Sequence, residues 1–449
     1  MAPRLAFRGV RRLCLLSSVL CLLALAPAAS ADTYTSVRGD NAPGPSRYDR
    51  SYVLKVGPSS AKRVLVLVPG TYGGAGDFRL VARDIVRRVP GLQVWAWDRR
   101  TQGLEDTSVF ERGNPDDAFA YYLNFREVRG RTFRPVNGAE DTPYAREWGL
   151  ETSLEDLRRV VLQAGKHGRK VILGGHSLGG STVMAYASWD FRGRPGYRDI
   201  DGMVLIDGAL DSTRPRLSAE GAREQKRAID EGDPFADLLG LNLPWAAGVF
   251  AETGALFARK APNAPAALHD YPLLPAAFKP PVRATNEAGF GYAFDVDTSP
   301  PALGLLHVRA GQLAPTGDPR PWQDGDNTPV QRLARTFGTE PANGVEWYFP
   351  RRLPLDLQAA SALKPTPAAR VLGVRVRHAR QVNVPLFAFG TDFSDGRVVA
   401  AARRFARTSR VPHATFAQSL RFTHLDPLTS SPANNHFLRT VVPFLRDIR

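Results

Sequence analysis

At 449 residues, with 43% hydrophobic and 23% charged residues, the chain is too long for a minimal domain and too apolar for a disordered or fibrous protein. Lysine plus arginine outnumber aspartate plus glutamate by 59 to 44, but these cations are scattered and no nucleic-acid motif accompanies them. Both cysteines, Cys14 and Cys21, fall in the first 31 residues, so the remainder has no disulfide, thiol nucleophile or cysteine-bound metal.

Those first 31 residues join a basic head (Arg4, Arg8, Arg11, Arg12) to the apolar run Leu13 to Leu25 and the small-residue site Ala29-Ser30-Ala31. That three-part order is a secretory signal peptide, with cleavage expected after Ala31 and an extracytoplasmic protein as product. No other segment approaches the 18 apolar residues of a membrane span, so no stable span is expected.

From residue 62 the pattern alternates strand and helix. Val64 to Val68 is a continuous apolar run, as in a parallel strand buried on both faces, and it ends in the turn Pro69-Gly70-Thr71-Tyr72-Gly73-Gly74. A helix is expected from Phe78 to Val89 and a strand from Leu92 to Trp97. Thr152 with Glu155 reads as a capping box opening a helix to about Gly168. Strand Val171–Leu173 leads into Gly174-Gly175-His176-Ser177-Leu178-Gly179-Gly180 and a helix to about Trp189, and Met203–Ile206 is a further strand. Such alternation implies an α/β fold, a mostly parallel sheet with helices on both faces.

Residues 211 to about 380 break the rhythm and carry 20 of the 36 prolines. Helical periodicity persists there at about 217–231, 245–260 and 329–337. Alternation resumes with strand Val384–Phe389, a helix from Arg397 to Thr408, a strand from Ala414 to Leu420 and a last helix from Asn434 to Ile448. The expected organisation is a signal peptide (1–31), a sheet-based core in two parts (32–210 and 381–449) and an inserted cap (211–380). A smaller insertion at about 101–150 contains the amphipathic stretch Pro115 to Phe125.

Gly175-His176-Ser177-Leu178-Gly179 fits G-x-S-x-G, and its strand-before, helix-after setting is what a nucleophile elbow requires. A serine hydroxyl needs a base to become nucleophilic. Around such an elbow the acid and then the histidine follow the serine in the chain. His424, in the loop after the last strand, is the expected base, since His413 starts a strand and His436 falls in the terminal helix. The acid is expected at Asp392, just past strand Val384–Phe389, with Asp207 and Asp395 open as alternatives. Oxyanion donors are expected from the amides of Leu178 and Thr71, with Tyr72 as alternate to Thr71.

Taken together, the sheet pattern, the oxyanion turn, the Ser177 elbow, Gly390-Thr391-Asp392 and the His424 loop resemble the α/β-hydrolase superfamily over 32–210 and 381–449. Pro69-Gly70 stands where that family usually has His-Gly, and the acid turn is one residue shorter than its common Gly-x-x-Asp form. The resemblance implies acyl transfer to water through a serine, without a cofactor. Asp295/Asp297 and Asp324/Asp326 lack the ligand spacing of a calcium loop, so no metal is expected.

Aromatic residues crowd the cap, among them Phe250, Phe257, Phe290, Phe294 and Trp347, and suit either an apolar acyl pocket or the cap's own core. The expected activity is hydrolysis of a small or lipid-like carboxylic ester. Amide hydrolysis or acyl transfer on the same residues, and a non-catalytic envelope-binding protein, are the alternatives.

Overall fold

Eight strands pair into one sheet in the computed structural model, which describes residues 32–211 and 217–448. Residues 1–31, where a signal peptide is expected, lie outside the described residues. The strands are β1 (Thr33–Arg38), β2 (Arg50–Val56), β3 (Arg63–Val68), β4 (Leu92–Asp98), β5 (Lys170–His176), β6 (Gly202–Ile206), β7 (Leu386–Thr391) and β8 (Ala414–Ser419). Their spatial order is β1-β2-β4-β3-β5-β6-β7-β8. From β4 to β8 every neighbouring pair is parallel, whereas β1 and β2 join antiparallel at one edge. The expected strands are all present, and β1 and β2, shorter on apolar signal, are additions.

Period-two alternation along β3 assigns its side chains to two layers. Val64, Val66 and Val68 face Leu154, Leu157 and Val161 of helix α2 (Leu150–Ala164) and Val183 and Met184 of α3 (Leu178–Ser188). Leu65 and Leu67 face Val81 and Ile85 of α1 (Arg79–Arg88) and residues of the terminal helix. Burial of side chains of this size contributes about 1.5–3 kcal/mol each, so both layers are strongly held. Helix α2 begins at Leu150, with Gly149 at its N-cap. Thr152 therefore sits inside the first turn, its hydroxyl bonded to the Glu147 carbonyl, and does not form the expected capping box.

Between β6 and β7 the chain forms α4 (Ala219–Asp230), α5 (Ala246–Lys260), α6 (Asn286–Phe294), α7 (Val330–Phe337), α8 (Arg352–Ala360) and α9 (Pro367–Leu372). These go to two places. Helices α4, α8 and α9 pack together, and α8 lies against α2 and α3, extending one layer of the core. Helix α5 packs against α6 and α7 over the carboxyl ends of the strands, with Phe290, Phe294 and Phe337 joined at its base. Residues 101–150 pack on the same side, placing Phe110, Tyr122 and Phe133 around Trp245 and Trp347. Helices α10 (Arg397–Thr408) and α11 (His436–Asp447) complete the core layers. The bounds of α10 match the sequence expectation, because Val398, Ala401, Ala402 and Phe405 repeat at i, i+3, i+4 and i+7 and are all buried.

Candidate active site

Three adjacent strand ends build the site. Ser177 follows β5, Asp207 follows β6 and Thr391 closes β7. The Ser177 amide donates to the Ile206 carbonyl at 2.8 Å, and the Asp207 amide to the Phe389 carbonyl at 2.8 Å, so the sheet's own ladder sets their spacing.

Ser177 has φ 56° and ψ −125°, a conformation that costs a non-glycine residue about 1–3 kcal/mol and persists only where its surroundings enforce it. Glycine supplies that enforcement. A Cβ on Gly179 would run into the Val68 carbonyl, and one on Gly208 into the carbonyl of Ser177 itself. The elbow thus packs backbone against backbone, and helix α3 starts at Leu178. Because Leu178 opens the helix, its N–H has no intrahelical acceptor.

Asp207 carries the pairing of His424. The histidine Nδ1 lies 2.7 Å from Asp207 Oδ2, with both side chains fully buried. Asp207 also accepts from the Thr391 amide at 2.8 Å and the Thr391 hydroxyl at 2.5 Å. Burial pushes this carboxyl up, but the bond and charge of His424, with Thr391 and Ser394, outweigh it and hold the carboxyl below its usual range. The ionised acid therefore fixes Nδ1 as the protonated nitrogen. His424 Nε2 is buried and has no partner among the described residues.

Asp392, the expected acid, is elsewhere. Its side chain is 55% exposed and lies 3.5 Å from Arg309. The residue beside it, Phe393, packs against His424 with ring centroids 4.3 Å apart and planes tilted by 50°, and Asp395 is exposed. Thr391, the residue before Asp392, lies over the β6 end and binds Asp207 through its amide and hydroxyl. Asp207 had a signal in the sequence, an acid at the end of a buried strand followed by glycine.

The histidine loop is held by residues that no motif marks. Asp426 accepts from Thr423 at 2.8 Å and from Thr328 at 2.7 Å. The His307 carbonyl accepts from Leu425 at 3.1 Å. His176 lies 4.5 Å from His424 between ring centroids, its Nε2 2.8 Å from the His424 carbonyl. Burial and the neighbouring His424 lower its pKa to about 3, so it is neutral and donates from Nε2.

The turn Pro69-Gly70-Thr71-Tyr72 is braced from behind. Buried Arg99 donates to the Pro69 carbonyl at 2.8 Å and the Gly70 carbonyl at 3.2 Å, and pairs with buried Glu346 at 2.6 Å. A trans peptide points its C=O and N–H in opposite directions, so the Thr71 amide is turned away from Arg99. Tyr72, with φ 58°, has its carbonyl engaged by the Glu346 amide at 2.8 Å.

Ser177, His424 and Thr71 line one cavity of about 1190 Å³, counting its part open to solvent. Its other walls come largely from α5, α6 and the segments around them, including Phe250, Phe257, Phe290 and Phe294. Among the described residues no group of histidine, cysteine, aspartate and glutamate side chains is arranged to hold a metal, and no helix is long and apolar enough to cross a membrane.

Strand order, elbow and the acid–histidine pair across adjacent strand ends define an α/β-hydrolase fold. No family model matches the chain, and no curated protein matches it. Solved structures that resemble it include epoxide hydrolase A from Mycobacterium thermoresistibile, at 14% identity and TM-score 0.42 over 93% of this chain and 99% of that one. A monoacylglycerol lipase from Paleococcus ferrophilus aligns at 13% identity and TM-score 0.39, over 89% and 99%. A thermophilic esterase from Thermogutta terrifontis aligns at 12% and 0.38, over 93% and 99%. Likeness at this level is of chain path alone, and the fold rests on the topology above.

Proposed function

We propose that the chain is a secreted serine hydrolase that cleaves carboxylic esters with a substantial apolar part. The observation that carries this reading is the state of His424: Nδ1 is bound to an ionised Asp207, and unpartnered Nε2 belongs to a cavity shared with Ser177. In the reaction, His424 Nε2 takes the Ser177 proton as Oγ attacks the ester carbonyl. The amides of Leu178 and Thr71 receive the charge on the carbonyl oxygen, each worth roughly 3 kcal/mol in sites of this kind. Collapse expels the alcohol, protonated by His424, and leaves an acyl group on Ser177. Water, deprotonated by the same nitrogen, then releases the acid. Asp207 steadies the imidazolium in both halves.

Serine at the elbow favours this course over attack by an enzyme carboxylate, and the aromatic walls favour an apolar substrate over a peptide. Export rests on the sequence of residues 1–31. Labelling with a fluorophosphonate tests the chemistry. Wild-type protein should take up one label, located at Ser177, and Ser177→Ala none. Folded wild-type protein that stays unlabelled overturns the reading.

A further inference from the structure

The cavity wall holds one acid that the proposed reaction does not use. Asp77 follows the oxyanion turn, lines the cavity and is only 5% exposed. No hydrogen bond or ion pair joins its carboxyl to another described residue, and its oxygens are not among the sealed, unpartnered atoms of the interior, so they open on the cavity. The neighbouring charged groups make their hydrogen bonds to other residues, although Arg79 Nε has none. Asp98 accepts from the Tyr34 hydroxyl at 2.7 Å and the Ala75 amide at 2.5 Å. Arg79 donates to the carbonyls of Arg335, Gly338 and Ala342. Asp77 also lies beside the turn that faces Ser177. A Cβ placed on Gly73 would stand 2.5 Å from Asp77 Oδ2 and 3.2 Å from the Gly70 nitrogen.

A ligand hydroxyl bonded to a carboxyl on the wall of an apolar cavity gains about 0.5–1.5 kcal/mol net. We propose that Asp77 is a recognition residue for a free hydroxyl carried by the substrate near its ester group. The pocket therefore takes hydroxylated apolar esters in preference to plain alkyl ones. The inference rests on the proposed function for its word "ester", but not for its binding site. A neutral hydroxyl suits the place better than a cation. Burial, and then Asp98, push the Asp77 carboxyl well above its usual range, which disfavours the ionised form that a cation would need. An ammonium would have to give up its hydration inside an apolar cavity that Lys279 also lines.

Binding to Ser177→Ala protein, measured by calorimetry, tests this without turnover. The hydroxyl can come from either half of the ester, so the probes are ethyl 3-hydroxybutyrate and 2-hydroxyethyl butyrate, each against ethyl butyrate. At least one hydroxylated ester should bind about tenfold more tightly, the size of one net hydrogen bond, and the responding probe names the half that carries the hydroxyl. Adding Asp77→Leu should abolish the ratio, whereas Asp77→Asn should keep part of it. Equal affinities for all three esters overturn the proposal, as does a ratio that survives Asp77→Leu. Tighter binding of ethyl 3-aminobutyrate than of its hydroxy analogue also overturns it. The wild-type side-chain ratio is read without changing Asp77, so a misfolded variant does not rescue the idea. Fluorophosphonate labelling of Ser177 fails or succeeds separately.

Discussion

A carboxylate orients an imidazole only from hydrogen-bond range, and that criterion selects Asp207 over Asp392. Asp207→Asn should leave the Ser177–His424 geometry in place but remove the charge that stabilises the imidazolium. Turnover of an aryl ester should fall by about 10⁴-fold, with little change in melting temperature. Asp392→Asn, at a half-exposed side chain 3.5 Å from Arg309, should stay within a factor of about two of wild type, since exposed ion pairs contribute little. Comparable losses in the two variants would contradict the pairing. Thr391→Val makes a finer test at the same place. It deletes one of the three donors to the ionised Asp207, a hydrogen bond to a charged group worth about 1.5–3 kcal/mol, read as slower turnover and a lower melting temperature.

At the scale of the element, the strand–elbow–helix unit depends on how closely β5, α3 and the ends of β3 and β6 approach. Gly179 touches the Val68 carbonyl and Gly208 the Ser177 carbonyl, so neither has room for a methyl. Gly179→Ala should destabilise the protein by about 1–3 kcal/mol or more, because the clash is with backbone and not with a side chain that can rotate. Urea unfolding measures it, and a wild-type midpoint in that variant would show that the elbow tolerates a methyl there. Regular elements such as α10 were legible because four buried positions repeat at helical spacing. Helix starts were less so: Thr152 and Glu155 satisfy a local capping pattern, yet α2 begins at Leu150, where the Asp356 carboxylate receives the Leu150 amide at 2.9 Å. A partner 206 positions away outcompetes one three residues away.

For the molecule as a whole, the segment between β6 and β7 is knitted together, and joined to residues 101–150, by buried carboxyls. Glu252 of α5 accepts from the Trp347 indole at 2.6 Å, from Asn343 at 3.1 Å and from the Thr339 hydroxyl. Asn343 in turn donates to Glu105 at 2.7 Å. Burial raises Glu252 to about 7 despite those donors, and raises Glu105 as well. The native protein therefore holds protons that the unfolded chain releases above its ordinary carboxyl pKa near 4.5. The stability this contributes is fully present below that value and is lost as pH rises through about 7. Melting temperature should fall between pH 5 and pH 8, and Glu252→Gln, which mimics the protonated acid, should make the fall shallower. An unchanged slope would mean that Glu252 is ionised in the native state.

From the sequence alone came the α/β class, the core strands, the elbow at Ser177 and the placing of His424 in the loop after the last strand. Each of these rests on local periodicity or on a turn whose residues are adjacent in the chain. The pairing of His424 with Asp207, the bracing of the Pro69–Gly70 turn by Arg99 and Glu346, and the exposure of Asp392 belong to the tertiary structure. So does the division of residues 217–380 between a layer on α2 and α3 and a wall of the cavity. Spacing along a chain tells which residues share a face of one element, but the end of one strand meets the end of the next only when the sheet's hydrogen-bond register brings them side by side.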